Sequence, residues 1–235
     1  MTFRVLTVAE MLGRELARRR TALVLLLVLP LAFYAANDGD VEIGGIAMAF
    51  SVAGAAIFAV FSGRVIDRRL VLAGYRPAEL VLGRLVSLEA LALVIAAVFA
   101  VVILTFSDVS DPWALVAALA LVALVGAPFG MAVGTLAPGE LEATLVMIAV
   151  VGVQIPLDPA DVVAKLLPFW GSRRMLQIAI GGPNDVAALA VVSFAYSCAL
   201  LALTLGAASR LAPSLPSAAS AGATSGGLPP GSSGT

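Results

Sequence analysis

Six apolar runs, each close to the length needed to cross a bilayer, constrain this 235-residue chain more than any other feature of its sequence. They cover about 21–36, 43–62, 85–106, 113–136, 141–157 and 186–208. A membrane-crossing helix needs about 20 mostly apolar residues, within a range of roughly 17–25. The runs are long and do not alternate in polarity, which excludes the strands of a transmembrane barrel. The first and fifth are short and contain Pro30 and Pro156; membrane helices tolerate proline because neighbouring groups satisfy the freed carbonyl. Composition agrees: 61% of residues are hydrophobic and 12% are charged, about half the charge a soluble domain carries. The expected fold is all-α and integral to a membrane, with six transmembrane helices.

Basic residues set the orientation of such a bundle. With the N-terminus inside, Arg4, Arg14, Arg18, Arg19, Arg20, Arg64, Arg68, Arg69, Arg76, Arg84 and Arg210 fall on the cytoplasmic side. Only Lys165, Arg173 and Arg174 fall outside. The outer loops 37–42 and 107–112 carry Asp38, Asp40, Glu42, Asp108 and Asp111 and no basic residue. A multi-pass plasma-membrane protein with both termini in the cytoplasm is expected, although the acidic loop near Pro138–Glu142 also falls inside.

Residues 1–20 read as an amphipathic helix lying in the inner interface. Val5, Val8, Ala9, Leu12 and Leu16 share one face, and Arg4, Thr7, Glu10, Arg14 and Arg18 lie opposite. Such a helix places its apolar side in the acyl region and its arginines among headgroups. Because this charged stretch comes first, the run after Arg18–Arg20 reads as a retained span rather than a cleaved signal peptide. The six-span domain covers 21–211. Residues 212–235 are small and uncharged, and are expected to form a disordered cytoplasmic tail.

Several chemistries are excluded. No histidine is present, which removes Ser-His and Cys-His catalysis and histidine-ligated zinc or haem. The single cysteine, Cys198, reads as a small apolar residue in an apolar helix. A phosphate-binding Gly-x-x-x-x-Gly-Lys-Ser/Thr sequence is missing, and the lone lysine, Lys165, has no such context. The chain therefore binds no nucleotide by that route and is not expected to be an enzyme.

Between the second and third runs, Gly63 to Arg84 is basic yet punctuated by Val65, Leu70, Val71, Leu72, Tyr75, Leu80 and Val81. Gly74 and Arg76-Pro77 predict a turn between two short helices, since proline suits a helix's first turn. From composition alone two readings stand: a cytoplasmic helix presenting arginines and Asp67 to a partner, or a loop whose arginines meet anionic lipid.

The interfacial helix, the six spans and this loop together resemble the type-2 ABC-transporter permease family. Arg68, Arg69, Leu70, Leu72, Gly74, Pro77, Glu79, Gly83 and Arg84 match that family's pattern of charged residues, short helix, turn and Glu-x-x-x-Gly-Lys/Arg. Arg68 or Arg69 stands where many relatives carry glutamate. The resemblance implies that the segment is a coupling helix docking on a separate ATPase subunit, which would bind ATP and Mg. It assigns partner coupling to Arg64, Asp67, Arg68, Arg69, Tyr75, Arg76, Glu79 and Arg84. It also implies a second permease, identical or homologous, and no nucleic-acid partner.

The segment Pro156–Asp185 contains Leu166, Leu167, Phe169 and Trp170, too apolar a cluster for a solvated loop. Two short outer-leaflet helices broken around Pro168 and Gly171 are expected; the resemblance implies that they dip into the membrane beside the exit path. Glu89 in the third run should face protein or water, because a carboxylate in hydrocarbon is costly. Glu89, Gln154 and Tyr196 are candidate pathway residues, with Ser193 and Ser197 as milder ones. Small residues at Gly45, Ala49, Gly54 and Ala55, and at Gly126, Gly130 and Gly134, read as helix-packing positions. The expected function is the permease subunit of an ATP-driven exporter for a hydrophobic or amphiphilic compound (a drug, lipid or secreted metabolite). The alternatives are an ion-coupled secondary transporter using Glu89 and a non-transporting membrane scaffold.

Overall fold

The computed structural model describes residues 2–158, 161–182 and 186–211; the tail expected at 212–235 lies outside them. Among the described residues eight α-helices follow in chain order: α1 Thr2–Arg18, α2 Arg20–Ala36, α3 Val41–Leu72, α4 Pro77–Phe106, α5 Pro112–Leu136, α6 Glu140–Val153, α7 Trp170–Ala179 and α8 Val186–Leu211. A 3-10 turn, Ala164–Leu166, precedes α7. No strand occurs among the described residues.

Four of these helices, α3, α4, α5 and α8, are long and apolar enough to cross a membrane. The pair α1–α2, bent by 82° at Arg19, makes a fifth if it is counted as one broken span. The sequence expectation was six. Taken alone, α2 has 17 residues and α6 only 14, the latter about 21 Å at 1.5 Å per residue. That is short of a hydrocarbon core about 30 Å thick. Pro156 accounts for the early end of α6: the residue before a proline is steered away from the helical region, so the helix closes at Val153 instead of running to 157.

The acidic residues between the spans have local structural work. Asp40 caps α3 by accepting from the Glu42 and Ile43 amides at 2.8 and 3.0 Å. Asp111 caps α5 by accepting from Trp113 and Ala114 at 3.0 and 3.1 Å, with Pro112 at the first helical position.

Helix α5 is the hub, packing on α3, α4, α6, α7 and α8. Lipid tails are as apolar as leucine, so helix association in a membrane depends on close van der Waals contact rather than on escape from water. The glycines at 126, 130 and 134 provide that contact against α3. A Cβ on Gly130 would overlap the carbonyl oxygen of Ala53 and lie 2.7 Å from the Cβ of Ala56. One on Gly126 would lie 2.9 Å from Val52 Cγ1. The facing small residues are thus Ala53 and Ala56, both fully buried, whereas Gly54 sits near the tip of Met147.

The amphipathic face expected on α1 is present, with Val8 and Ala9 buried and Arg4, Thr7, Glu10, Arg14 and Arg18 exposed. Its apolar side does not face acyl chains alone, because it packs on the first turns of α4. A Cβ on Gly83 would lie 2.6 Å from Val8 Cγ1 and 3.1 Å from the Val5 carbonyl oxygen.

Candidate functional site

Residues 64–84 form the tip of a helical hairpin. No glycine or proline interrupts 64–72, so the helix begun at Val41 runs on without a break to Leu72. The short separate coupling helix expected here is therefore replaced by the last turns of α3 and the first turns of α4. The expected turn is present: Gly74 adopts φ 88°, a left-handed value that suits glycine, and Pro77 opens α4. The Arg76 amide donates to Glu79 Oε2 at 2.9 Å, closing the first turn.

The eight residues assigned to partner coupling divide by what they touch. Arg84, 5% exposed, donates through Nη2 to both Asp67 oxygens at 2.9 and 3.0 Å, tying α4 to α3. Gly63 permits this crossing, since a Cβ there would overlap Arg84 Nη2. Arg64 donates to the carbonyls of Gly134 and Ala137 at 3.1 and 3.3 Å and stacks over Phe61; a cation at these last carbonyls of α5 complements the helix dipole. Arg4 of α1 donates to the Gly74 carbonyl at 3.1 Å, lies 3.9 Å from Glu79 and stacks over Tyr75. These contacts bind the hairpin to its own bundle. Arg68, Arg69 and Arg76 remain exposed, with no hydrogen bond or ion pair from their side chains among the described residues, and Leu72 beside them is 74% exposed. The outward chemistry of the tip is therefore three free guanidiniums around an apolar side chain.

A second cluster lies at the opposite end of α3. Glu42, in the first turn of α3, accepts from Arg173 of α7 through Nε at 2.8 Å and through Nη2, and from Gln177 Nε2 at 3.3 Å. Arg173 Nη1 also donates to the carbonyls of Gln154 and Leu157, the second at 3.3 Å, closing off the C-terminal end of α6. Arg174 donates to Gln177 Oε1 at 3.0 Å. Arg173 and Gln154 are both buried, and a cavity of about 10 Å³ beside them is near the size of one water. Glu42, Arg173 and Gln177 were not among the candidate residues. The signal available in the sequence was that the charge count had put Glu42 and Arg173 on one side of the membrane.

The three candidate pathway residues are not brought together. Gln154 belongs to this cluster; Tyr196 on α8 donates its hydroxyl to the Lys165 carbonyl at 3.1 Å, holding the 3-10 turn; Glu89 on α4 is partly buried, with Oε1 unpartnered. Neither Glu89 nor Tyr196 lines the cavity beside Arg173 and Gln154.

The family model described as "ABC-2 type transporter" matches residues 13–172. The chain belongs to the ABC-2 type transporter family. The match runs from α1 to the start of α7, so it includes the hairpin tip and Glu42 of the second cluster. No curated protein matches the permease. As an ABC-2 permease it is a membrane transport component rather than a catalytic ATPase, and permeases of this family normally work with an ATPase subunit.

Proposed function

We propose that this permease is the transmembrane part of an ATP-driven exporter that moves a hydrophobic or amphiphilic compound outward across the plasma membrane, with both termini in the cytoplasm. The supporting observation is the α3–α4 hairpin tip, where Arg68, Arg69, Arg76 and Leu72 face outward while Asp67, Glu79 and Arg84 are held by intramolecular bonds. An unsatisfied basic apex around one apolar anchor fits an acidic cleft on a partner ATPase, which would carry ATP and Mg. The 82° bend at Arg19 supports an interfacial α1, and the cytoplasmic excess of arginine supports the orientation.

Continuity of α3 supplies the lever. At 1.5 Å per residue its 32 residues extend about 48 Å, beyond a hydrocarbon core of about 30 Å. A push on the tip would therefore reach Glu42 and the α7 cluster through one rigid rod rather than through a hinged loop. With a second permease, identical or homologous, alternate rocking of the two bundles would open a path between them.

Co-purification with the ATPase subunit tests this reading. Arg68→Glu with Arg69→Glu should abolish association and permease-stimulated ATP hydrolysis, while thermal unfolding of the permease stays unchanged because neither side chain has an internal partner. Undiminished association of the double variant would remove the tip from the coupling role.

A further inference from the structure

A groove lies between α1 and the α3–α4 hairpin, bordered by the Arg84–Asp67 bridge. Its walls are apolar: Val8, Leu12 and Leu16 from α1, Phe58 and Ile66 from α3, and Leu88 from α4. Two side chains lining it are buried yet have a polar atom without a partner, namely Arg84 Nε and Ser87 Oγ. Arg84 is 5% and Ser87 7% exposed, so bulk solvent does not reach them, and an unmet buried donor calls for an acceptor. The formal charges around the groove are already matched, Arg84 with Asp67 at 2.9 Å and Arg19 with Glu15 at 2.8 Å. A free anion such as inorganic phosphate would gain no net countercharge there. A neutral acceptor on an apolar body would meet both the donors and the walls.

We infer that this groove seats one acyl chain of an ester-linked phospholipid from the surrounding bilayer, with the ester carbonyl accepting from Arg84 Nε and Ser87 Oγ. The groove encloses about 40 Å³, too little to enclose a whole chain. The chain lies along it instead, with its outer side on neighbouring lipid. Met11 and Ile66 at the margin are 42% and 39% exposed, giving an apolar mouth through which a chain enters sideways. Leaving the bilayer for an apolar wall changes little for a hydrocarbon tail, since both surroundings are equally apolar. Selectivity therefore rests on the carbonyl, and the site should distinguish ester-linked from ether-linked lipids with the same headgroup. This site is independent of the transported compound: it lies behind α1, and its occupant stays bound during turnover.

Native mass spectrometry of the full-length permease, purified after exchange into ester-linked or ether-linked phosphatidylethanolamine, tests the inference. One retained lipid per chain is expected, with the ester form favoured at least about two- to tenfold, the range of one hydrogen bond. Ser87→Ala should lower that preference by the share of one neutral hydrogen bond, about twofold or more, without lowering thermal stability. Ala59→Trp, which fills the groove from α3, should abolish retention. Equal retention of the two lipids, or retention unaffected by Ser87→Ala, would mean that the donors hold water only, and the inference falls. Loss of the lipid during ATP-driven turnover of the assembled transporter would identify it as cargo and overturn the inference as well. Neither result would touch the docking role of Arg68 and Arg69.

Discussion

Replacing Glu42 by alanine measures what the buried cluster contributes. The Glu42 side chain is 22% exposed and that of Arg173 only 7%. In the native protein one carboxylate oxygen accepts from Arg173 Nε and Nη2, and the other from Gln177. Without that carboxylate Arg173 keeps the carbonyls of Gln154 and Leu157 as acceptors but has no countercharge in this cluster. Removing one partner of a fully buried pair costs about 3–5 kcal/mol. Water reaching the partly exposed Glu42 side reduces the expected loss to about 2–3 kcal/mol. For a chain of this length each kcal/mol shifts the midpoint by about 2–4 °C, so thermal unfolding in detergent should drop by about 4–12 °C. A double-mutant cycle with Arg173→Met separates the pair from side effects; the coupling should exceed about 1 kcal/mol, as for residues in one network. A midpoint shift under about 2 °C, or strictly additive single effects, would refute the view that this ion pair fastens α7 to α3.

Two further predictions concern packing. Gly130→Val should destabilise by about 1–3 kcal/mol or more through overpacking against the Ala53 backbone, whereas Gly54→Ala, whose nearest side-chain atoms lie 3.8 Å away, should leave the unfolding midpoint nearly unchanged; equal effects would contradict the assigned α3–α5 contact. Arg4→Ala should cost less than about 1 kcal/mol, because the Arg4 side chain is 56% exposed; a much larger loss in the same assay would show that Arg4, rather than the contact of Val8 with Gly83, holds α1 in place.

The long spans were legible because their signal is cumulative: over 25 to 32 residues the apolar content of α3, α4 and α5 outweighs any local preference. Of the short ones, α2 was legible too, since Arg20–Ala36 matches the run at 21–36, whereas α6 closes at Val153 before Pro156 instead of running to 157. The Gly74–Pro77 turn was readable from its two special residues. The helix before it is continuous with α3 rather than separate, because nothing in 64–72 opposes helix continuation. The glycine stripe on α5 was recognised as a packing surface. Which α3 residues face it, Ala53 and Ala56 rather than Gly54, was not legible, since the rotation of α3 about its own axis is fixed only by what packs on its other sides.

The sequence alone determined that the chain is helical and lives in a membrane, because an unbroken apolar segment can satisfy its backbone in lipid only as a helix. It also placed the basic residues mainly around α1 and the α3–α4 connection. Tertiary structure decided which of those charges are free. Arg64, Arg84 and Arg4 are taken up by the Gly134 and Ala137 carbonyls, Asp67 and Glu79, respectively, and Arg173 by Glu42, 131 positions earlier in the chain. At the α3–α4 tip, what remains outward is Arg68, Arg69 and Arg76. No composition or spacing rule makes that division, because whether a guanidinium is spent depends on the acceptor that another helix brings within about 3 Å of it.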